Sequence, residues 1–159
     1  MKVKVVTNIL EANDRIAAEN KKRFEEAGVF VMNVMSGPGA GKTSLLEKTI
    51  QGLSGKIKIG VIEGDIAGAD DAERIDKLGI PVVQINTEGM CHLDATMIGA
   101  AATEFDLQAI DLLVIENVAR PVCPAACEIG ESLRVVLLSV TEVEDKPLKY
   151  PAMFGSADL

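Results

Sequence analysis

Tryptophan is absent from this 159-residue chain, and one tyrosine and four phenylalanines supply all its aromatic bulk. With 48% of residues hydrophobic, a disordered chain is excluded, and the core must be mainly aliphatic. Basic residues are also short: 16 Lys and Arg against 24 Asp and Glu leave a formal charge of −8 and no long basic run. That balance argues against nucleic-acid binding, which needs a basic face to displace counterions. It favours small ligands or protein partners. No apolar stretch approaches the ~20 residues needed to cross a bilayer, so no membrane association is expected. Met1 to Val6 alternates Lys with Val and lacks the apolar run and cleavage site of a secretory signal. A cytoplasmic location is therefore expected. Cysteine is scarce and odd in number, three in all; without an export signal this argues against a disulfide framework and for free thiols.

What is present is an alternation of apolar runs and amphipathic stretches. Thr7 to Gly28 reads as an opening helix, with Asn8 and Glu11 as a capping pair, Gly28 as its end, and Ile9, Ala12, Ile16, Ala17, Phe24 and Ala27 as its stripe. Apolar strands are expected at Val29–Met35, Ile57–Glu63, Pro81–Asn86, Leu112–Asn117 and Leu133–Val140. Helices are expected at Thr43–Leu53, Asp70–Leu78 and Leu93–Glu104. Continuous Val, Ile and Leu runs suit strands buried on both faces, and strand–helix alternation implies a mainly parallel sheet flanked by helices. The expected class is α/β with an N-terminal helix: residues 1–28 form a strand/helix extension and 29–159 the main domain. Lys146–Leu159 contains prolines, and its last residues, Ser156-Ala157-Asp158-Leu159, resemble the run-in to another strand. A truncated protein is expected on that ground.

Ser36-Gly37-Pro38-Gly39-Ala40-Gly41-Lys42-Thr43 lies between a buried strand and a helix, the setting a P-loop NTPase requires. Phosphates need backbone N–H groups at close range, hence glycines, and the following helix adds unpaired donors and its positive dipole end. Gly37 to Thr43, with Ser44, form the candidate nucleotide-binding loop. Lys42 would bridge the β- and γ-phosphates, and the Thr43 hydroxyl would ligate Mg²⁺. The usual first glycine is Ser36 here.

Ligands of open parallel sheets sit beyond the carboxyl ends of the strands. Glu63-Gly64-Asp65 and Glu116-Asn117 end two strands and open towards that edge. Asp65 and Glu116 are the candidates for holding Mg²⁺ with Thr43 and, with Lys42, for catalysis. Each is otherwise an ordinary strand-end carboxylate. Cys91 stands beside the single histidine, His92, and Cys123 follows the Glu116 strand by a few residues. Cys and His suit Zn²⁺ or Ni²⁺, although three ligands are too few for a closed tetrahedral site and a two-fold dimer would have to supply the rest. The other reading is a pair of buried thiols and a capping histidine. Cys127 is a weaker ligand candidate and more naturally a packing residue.

Taken together, these residues closely resemble the HypB family of hydrogenase nickel-incorporation GTPases. The resemblance is carried by the phosphate loop, Val61-Ile-Glu-Gly-Asp65, Asp71-Ala-Glu-Arg74, Gln84-Ile-Asn-Thr87, Cys91-His-Leu-Asp94, Ile115-Glu-Asn-Val118, Val122-Cys-Pro124, Leu138-Ser-Val-Thr-Glu142 and Asp145-Lys-Pro-Leu-Lys-Tyr-Pro151. It implies a SIMIBI-type GTPase that binds GTP and GDP with Mg²⁺, dimerises with nucleotide and metal, and carries nickel or zinc on Cys91, His92 and Cys123. It further implies hydrogenase maturation proteins and the hydrogenase large subunit as partners, and places Lys146 near the dimer interface. Three departures matter. Ala119 replaces a glycine whose N–H meets the γ-phosphate, which would impair switching or turnover. Cys127 stands where an aromatic is usual. The Asn-Lys-x-Asp base-reading motif, expected a few residues after Leu159, is not in this sequence, which implies weak discrimination of GTP. A metal- and partner-binding protein without significant turnover is the alternative that follows. A partitioning ATPase of the same branch is disfavoured, because such proteins carry a lysine at the position of Gly37 and lack the Cys-His cluster.

Overall fold

The computed structural model describes residues 7–120, 122–142 and 144–159, with side chains from residue 10 onward. The strand expected within 1–6, the cap at Asn8 and the stripe position Ile9 lie outside these described residues and side chains. Helix α1 (Thr7–Ala27) buries Ala17, Asn20 and Phe24 on one face. Gly28, at φ 73°, closes it: its N–H donates to Glu25 O, and Val29 N–H reaches back to Phe24 O at 2.9 Å. A side chain would be strained at that angle, so glycine ends the helix and aims the chain into the sheet.

Five strands follow: β1 (Phe30–Ser36), β2 (Ile59–Asp65), β3 (Val82–Asn86), β4 (Leu112–Glu116) and β5 (Leu133–Leu137). They form one sheet in the order β3-β2-β4-β1-β5, with every pairing parallel. The connections carry α2 (Lys42–Leu53), α3 (Asp70–Asp76) and α4 (Ala95–Ala101), and the chain continues past β5 through α5 (Lys146–Lys149) and α6 (Pro151–Gly155). Side chains alternate between the two sheet faces, so the core is double. One half gathers Phe24, Val31, Ile62, Leu93, Ile98, Leu113, Ile115 and Ile129 beneath α1 and α4. The other gathers Val34, Leu46, Ile50, Val61, Ile75 and Val114 beneath α2 and α3. The mainly parallel, helix-flanked sheet and the aliphatic core are as expected.

Several boundaries differ from the expected ones. β2 starts at Ile59 rather than Ile57, because Lys58 is already engaged by Asp111: its N–H donates to Asp111 Oδ2 at 2.8 Å and its carbonyl accepts Asp111 N–H. α3 stops at Asp76, where Gly79 turns back at φ 74° to donate to Asp76 O. The helix expected from Leu93 begins at Ala95 and gives way to a 3-10 turn at Ala102–Glu104. Its cap is Asp94, which accepts Met97 N–H at 2.8 Å, so His92 is not the capping residue. β5 ends at Leu137 because Ser139 N–H turns to the Glu142 carboxylate, leaving Val140 fully exposed. At the chain end, Asp158 and Leu159 N–H donate to Arg134 O and Val136 N–H donates to Leu159 O, so these residues lie along the outer edge of β5.

Candidate functional site

The loop between β1 and α2 is shaped by two glycines at positive φ, Gly39 at 73° and Gly41 at 94°. Gly41 caps α2 without any side-chain hydrogen bond, so the first N–H groups of the helix stay free for an anion. Gly37 lies under another part of the chain: a Cβ added there would come 3.0 Å from Lys146 Nζ and 3.3 Å from Glu142 Oε1, two groups that form an ion pair. Lys42 is buried and donates to Ser36 Oγ at 3.0 Å, and Ser36 Oγ in turn donates to Gly37 O at 2.7 Å. The unusual serine thus gives the ammonium a hydrogen-bond partner within the loop itself. Burial lowers the Lys42 pKa, with Glu116 and Glu63 acting in the opposite direction.

Gly39, Ala40, Gly41, Lys42, Thr43 and Ser44 line a cavity of about 340 Å³, which Asp71, Arg74, Glu116 and Ala119 complete. Thr43 Oγ1 donates to Glu116 Oε1 at 2.7 Å. The structure adds a residue that the sequence reading passed over. Glu63 of β2 is paired in register with Glu116 of β4, and both are buried. Glu63 Oε1 and Glu116 Oε2 receive no hydrogen bond from any N–H or hydroxyl donor of the described residues. A proton shared between the carboxyls, or a cation, satisfies them. Burial and then the Glu116 charge push the Glu63 pKa far up, and burial raises that of Glu116. Orphaned carboxylate oxygens beside a threonine hydroxyl are hard donors that fit Mg²⁺.

Asp65 sits on the rim of an adjoining small cavity with Glu63, Lys42, Asp71 and Glu116. Its carboxylate is occupied by its own turn, accepting Ile66 N–H at 2.7 Å and Gly68 N–H at 2.9 Å. Arg74, another residue the sequence reading did not single out, pairs with Glu47 and Asp71 and donates to Ser44 Oγ at 3.3 Å. Ala119 lines both cavities, and its φ is not positive, since Glu88 is the only such non-glycine among the described residues. The alanine therefore imposes no backbone strain in this conformation.

The second cluster belongs to the opposite sheet face. Cys91, His92 and Cys123 bring their ligand atoms within 4.8 Å of one another. The expectation of three separate thiols is qualified here: the loop after β3 and the 3-10 turn Cys123–Ala126 meet with Cα atoms 6.0 Å apart, so the sulfurs of Cys91 and Cys123 face each other within reach of a disulfide or of one shared ion. His92 Nδ1 lies 3.7 Å from Cys91 Sγ. Once the sulfurs are reduced, two thiolates and an imidazole make a borderline-metal set, one ligand short of a closed tetrahedron. Cys127 stands outside this set as a buried free thiol, and burial pushes its pKa up to about 11. It packs, as expected. No helix among the described residues is long and apolar enough to cross a membrane.

Residues 30–143 match the nucleotide-binding domain described as CobW/HypB/UreG. The hydrogenase maturation factors HypB of Rhizobium leguminosarum bv. viciae and Azotobacter vinelandii are 52% and 54% identical to this chain over 157 residues, 99% of it and 52% of each relative. The chain thus spans about half the length of these curated relatives. A crystal structure of HypB from Helicobacter pylori in complex with nickel superimposes with a TM-score of 0.87 at 44% identity, covering 92% of this chain and 69% of that one. A likeness that runs through both sheet faces, and not through the phosphate loop alone, is one of family, and the chain belongs to the HypB group of the CobW/HypB/UreG nucleotide-binding family.

Proposed function

We propose that this chain is the nucleotide-binding domain of a GTP-hydrolysing metallochaperone that carries nickel, or zinc, and assists nickel insertion during nickel–iron hydrogenase maturation. The observation that carries the reading is the placement of both sites around consecutive residues. Glu116 accepts from Thr43 on the nucleotide face, and Asn117 accepts Leu93 N–H at 3.3 Å, next to the Cys91-His92 pair. A change at one site is then transmitted mechanically to the other.

In this reading the N–H groups of Gly37 and of Gly39 to Ser44 cradle the phosphates, with Pro38 shaping the loop without donating, and Lys42 leaves Ser36 for the β- and γ-phosphate oxygens. Thr43 and Glu116, with Asp65, would hold Mg²⁺, which would supply neutralisation of the charge developing on the transferred phosphoryl group. Glu63 keeps or gives up the proton shared with Glu116 according to whether a cation is present. Cys91, His92 and Cys123 hold nickel as cargo, and a second copy of the chain completes the coordination. GTP ordering of the Asp65 and Glu116 segments would favour the dimer, and hydrolysis would release them. A cytoplasmic setting and transfer to maturation proteins and the hydrogenase large subunit follow from the same reading.

Dimer mass measured with a non-hydrolysable GTP analogue, with and without Ni²⁺, tests it. Linkage requires each ligand to strengthen the effect of the other; two independent responses defeat the proposal. The reading without turnover rested on Ala119 and on the base-reading motif, of which the structure bears on the first alone. Phosphate release at background level would favour it, but the unstrained backbone at Ala119 supports turnover.

A further inference from the structure

Asn33 lies in the middle of β1, is completely buried, and stands among apolar neighbours where an amide has no hydrophobic use. An unpaired polar group there is strongly unfavourable, so its partners indicate its purpose. Its Oδ1 accepts Asn117 Nδ2 at 3.1 Å, and its Nδ2 donates to Glu131 Oε1 at 3.2 Å. The other oxygen of Glu131 accepts Ile129 N–H at 3.0 Å, while Arg134 Nε donates to Glu131 Oε1 at 2.5 Å. Arg134 then holds the carbonyls of Ala125 and Cys127, both at 3.3 Å.

Each end of this ladder grips one limb of the Cys-His cluster. Asn117 holds Leu93 N–H, one residue beyond His92. Arg134 holds the turn that begins at Cys123. Asn33 is the link between the two grips, and it faces away from the phosphate loop, on the side of Val31 and Ile115. We propose that Asn33 is a positioning residue for metal uptake: through Asn117 on one side and Glu131 and Arg134 on the other, it sets the spacing between the Cys91-His92 loop and the Cys123 turn. The inference rests on the metal reading of the preceding subsection. Neither Asn33 nor Arg134 touches the metal, and their part is to keep two loops in register so that little ordering remains when the ion binds.

The test is nickel titration of the full chain kept reduced with a non-thiol reductant, followed by the thiolate-to-nickel charge-transfer absorption. Asn33→Val should weaken nickel binding by roughly tenfold, the size of one lost buried hydrogen bond in the ladder, while leaving GDP affinity within about twofold. Asn33→Ser, whose hydroxyl is too short to bridge both partners but leaves room for water, serves if the valine variant does not fold, and should show the same split. Val31→Ala, on the same strand and face, is the control for general loosening and should keep wild-type nickel affinity. Nickel affinity within twofold of wild type in a folded Asn33 variant overturns the inference, as does an equal loss in Val31→Ala. A wild-type chain that binds no nickel overturns the metal reading and this inference together, which separates the two failures.

Discussion

Glu63→Gln should free the nucleotide-free chain from a loss of stability that the wild type suffers as pH rises. Glu63 is 3% exposed, and its pKa is raised above the ordinary 4.5 first by burial and then by Glu116. A raised folded-state pKa means that the folded chain keeps a proton which the unfolded chain has released. Between pH 5 and pH 8 the unfolded state therefore binds about one proton fewer at this site, and stability falls by up to about 1.4 kcal/mol per pH unit. The stabilisation is complete below the ordinary carboxylate range and is lost as pH climbs towards the raised value. Glutamine keeps the shape and the neutral hydrogen bond to Glu116 but has no proton to lose.

Urea unfolding of wild type and variant at matched pH values isolates the titration of the Glu63–Glu116 pair, because titrations remote from the pair cancel in the difference. From pH 5.5 to pH 7.5 the variant should gain on the wild type by roughly 2–3 kcal/mol. Mg²⁺ with GDP should shrink that gap, since a cation held by Glu116 takes the place of the shared proton. A difference that stays flat across pH shows that Glu63 and Glu116 do not share a proton, and the account of their two unpartnered oxygens then fails.

Lys42→Ala removes the buried ammonium that rests on Ser36 and should weaken Mg·GTP binding by about 10- to 100-fold in a fluorescent-nucleotide titration; unchanged affinity removes the phosphate-loop reading. The chain with Cys91 and Cys123 oxidised should take up no nickel at the cluster, and reduction should restore binding measured by equilibrium dialysis; equal uptake in both forms places the metal elsewhere. Gly130→Ala combines φ +97° with a Cβ only 2.7 Å from Ala17 O and 2.9 Å from Lys21 N, both backbone atoms of α1 that cannot swing aside. A loss of about 2–4 kcal/mol is expected, read from the urea midpoint, and an unshifted midpoint means that α1 is not seated as described.

The sheet and its phosphate loop were legible because they are written in local patterns, a Val-rich run, then glycines, then Gly41-Lys42-Thr43 opening a helix. Strand ends were less so. Lys58 and Asp111 settle where β2 begins, 53 residues apart in sequence, and no local window contains that contact. Glu63 was visible as a strand-end acid, but choosing it over Asp65 needed the register that sets it against Glu116, a non-local fact. Asn33 was hidden more thoroughly. It reads as a blemish in an apolar strand until Asn117, Glu131 and Arg134, drawn from two other strand ends, converge on it. Cys91 and Cys123 could be named as a pair from their flanking residues, whereas the meeting of their sulfurs depends on two loops crossing the same sheet edge.

One elementary property of a β-strand accounts for how two sites share this edge. Successive side chains point to opposite faces, so the last residue of β4 and the one after it face different helices. Glu116 faces α2, where it accepts from Thr43, and Asn117 faces α1 and α4, where it holds Leu93 N–H and Asn33. On the proposed reading, a pull on Glu116 by a cation at the phosphate loop, where side-chain torsions do not absorb it, would rotate or translate the peptide that carries Asn117. Flexible side-chain contacts would absorb such a movement, but Asn117 is 1% exposed and engaged on both amide atoms. On that reading the movement would pass on to the loops bearing Cys91, His92 and Cys123, or be resisted by them. On the proposed reading, nucleotide and metal would then report on each other in either direction, with the strength of the coupling set by how stiffly the Asn33 ladder is built.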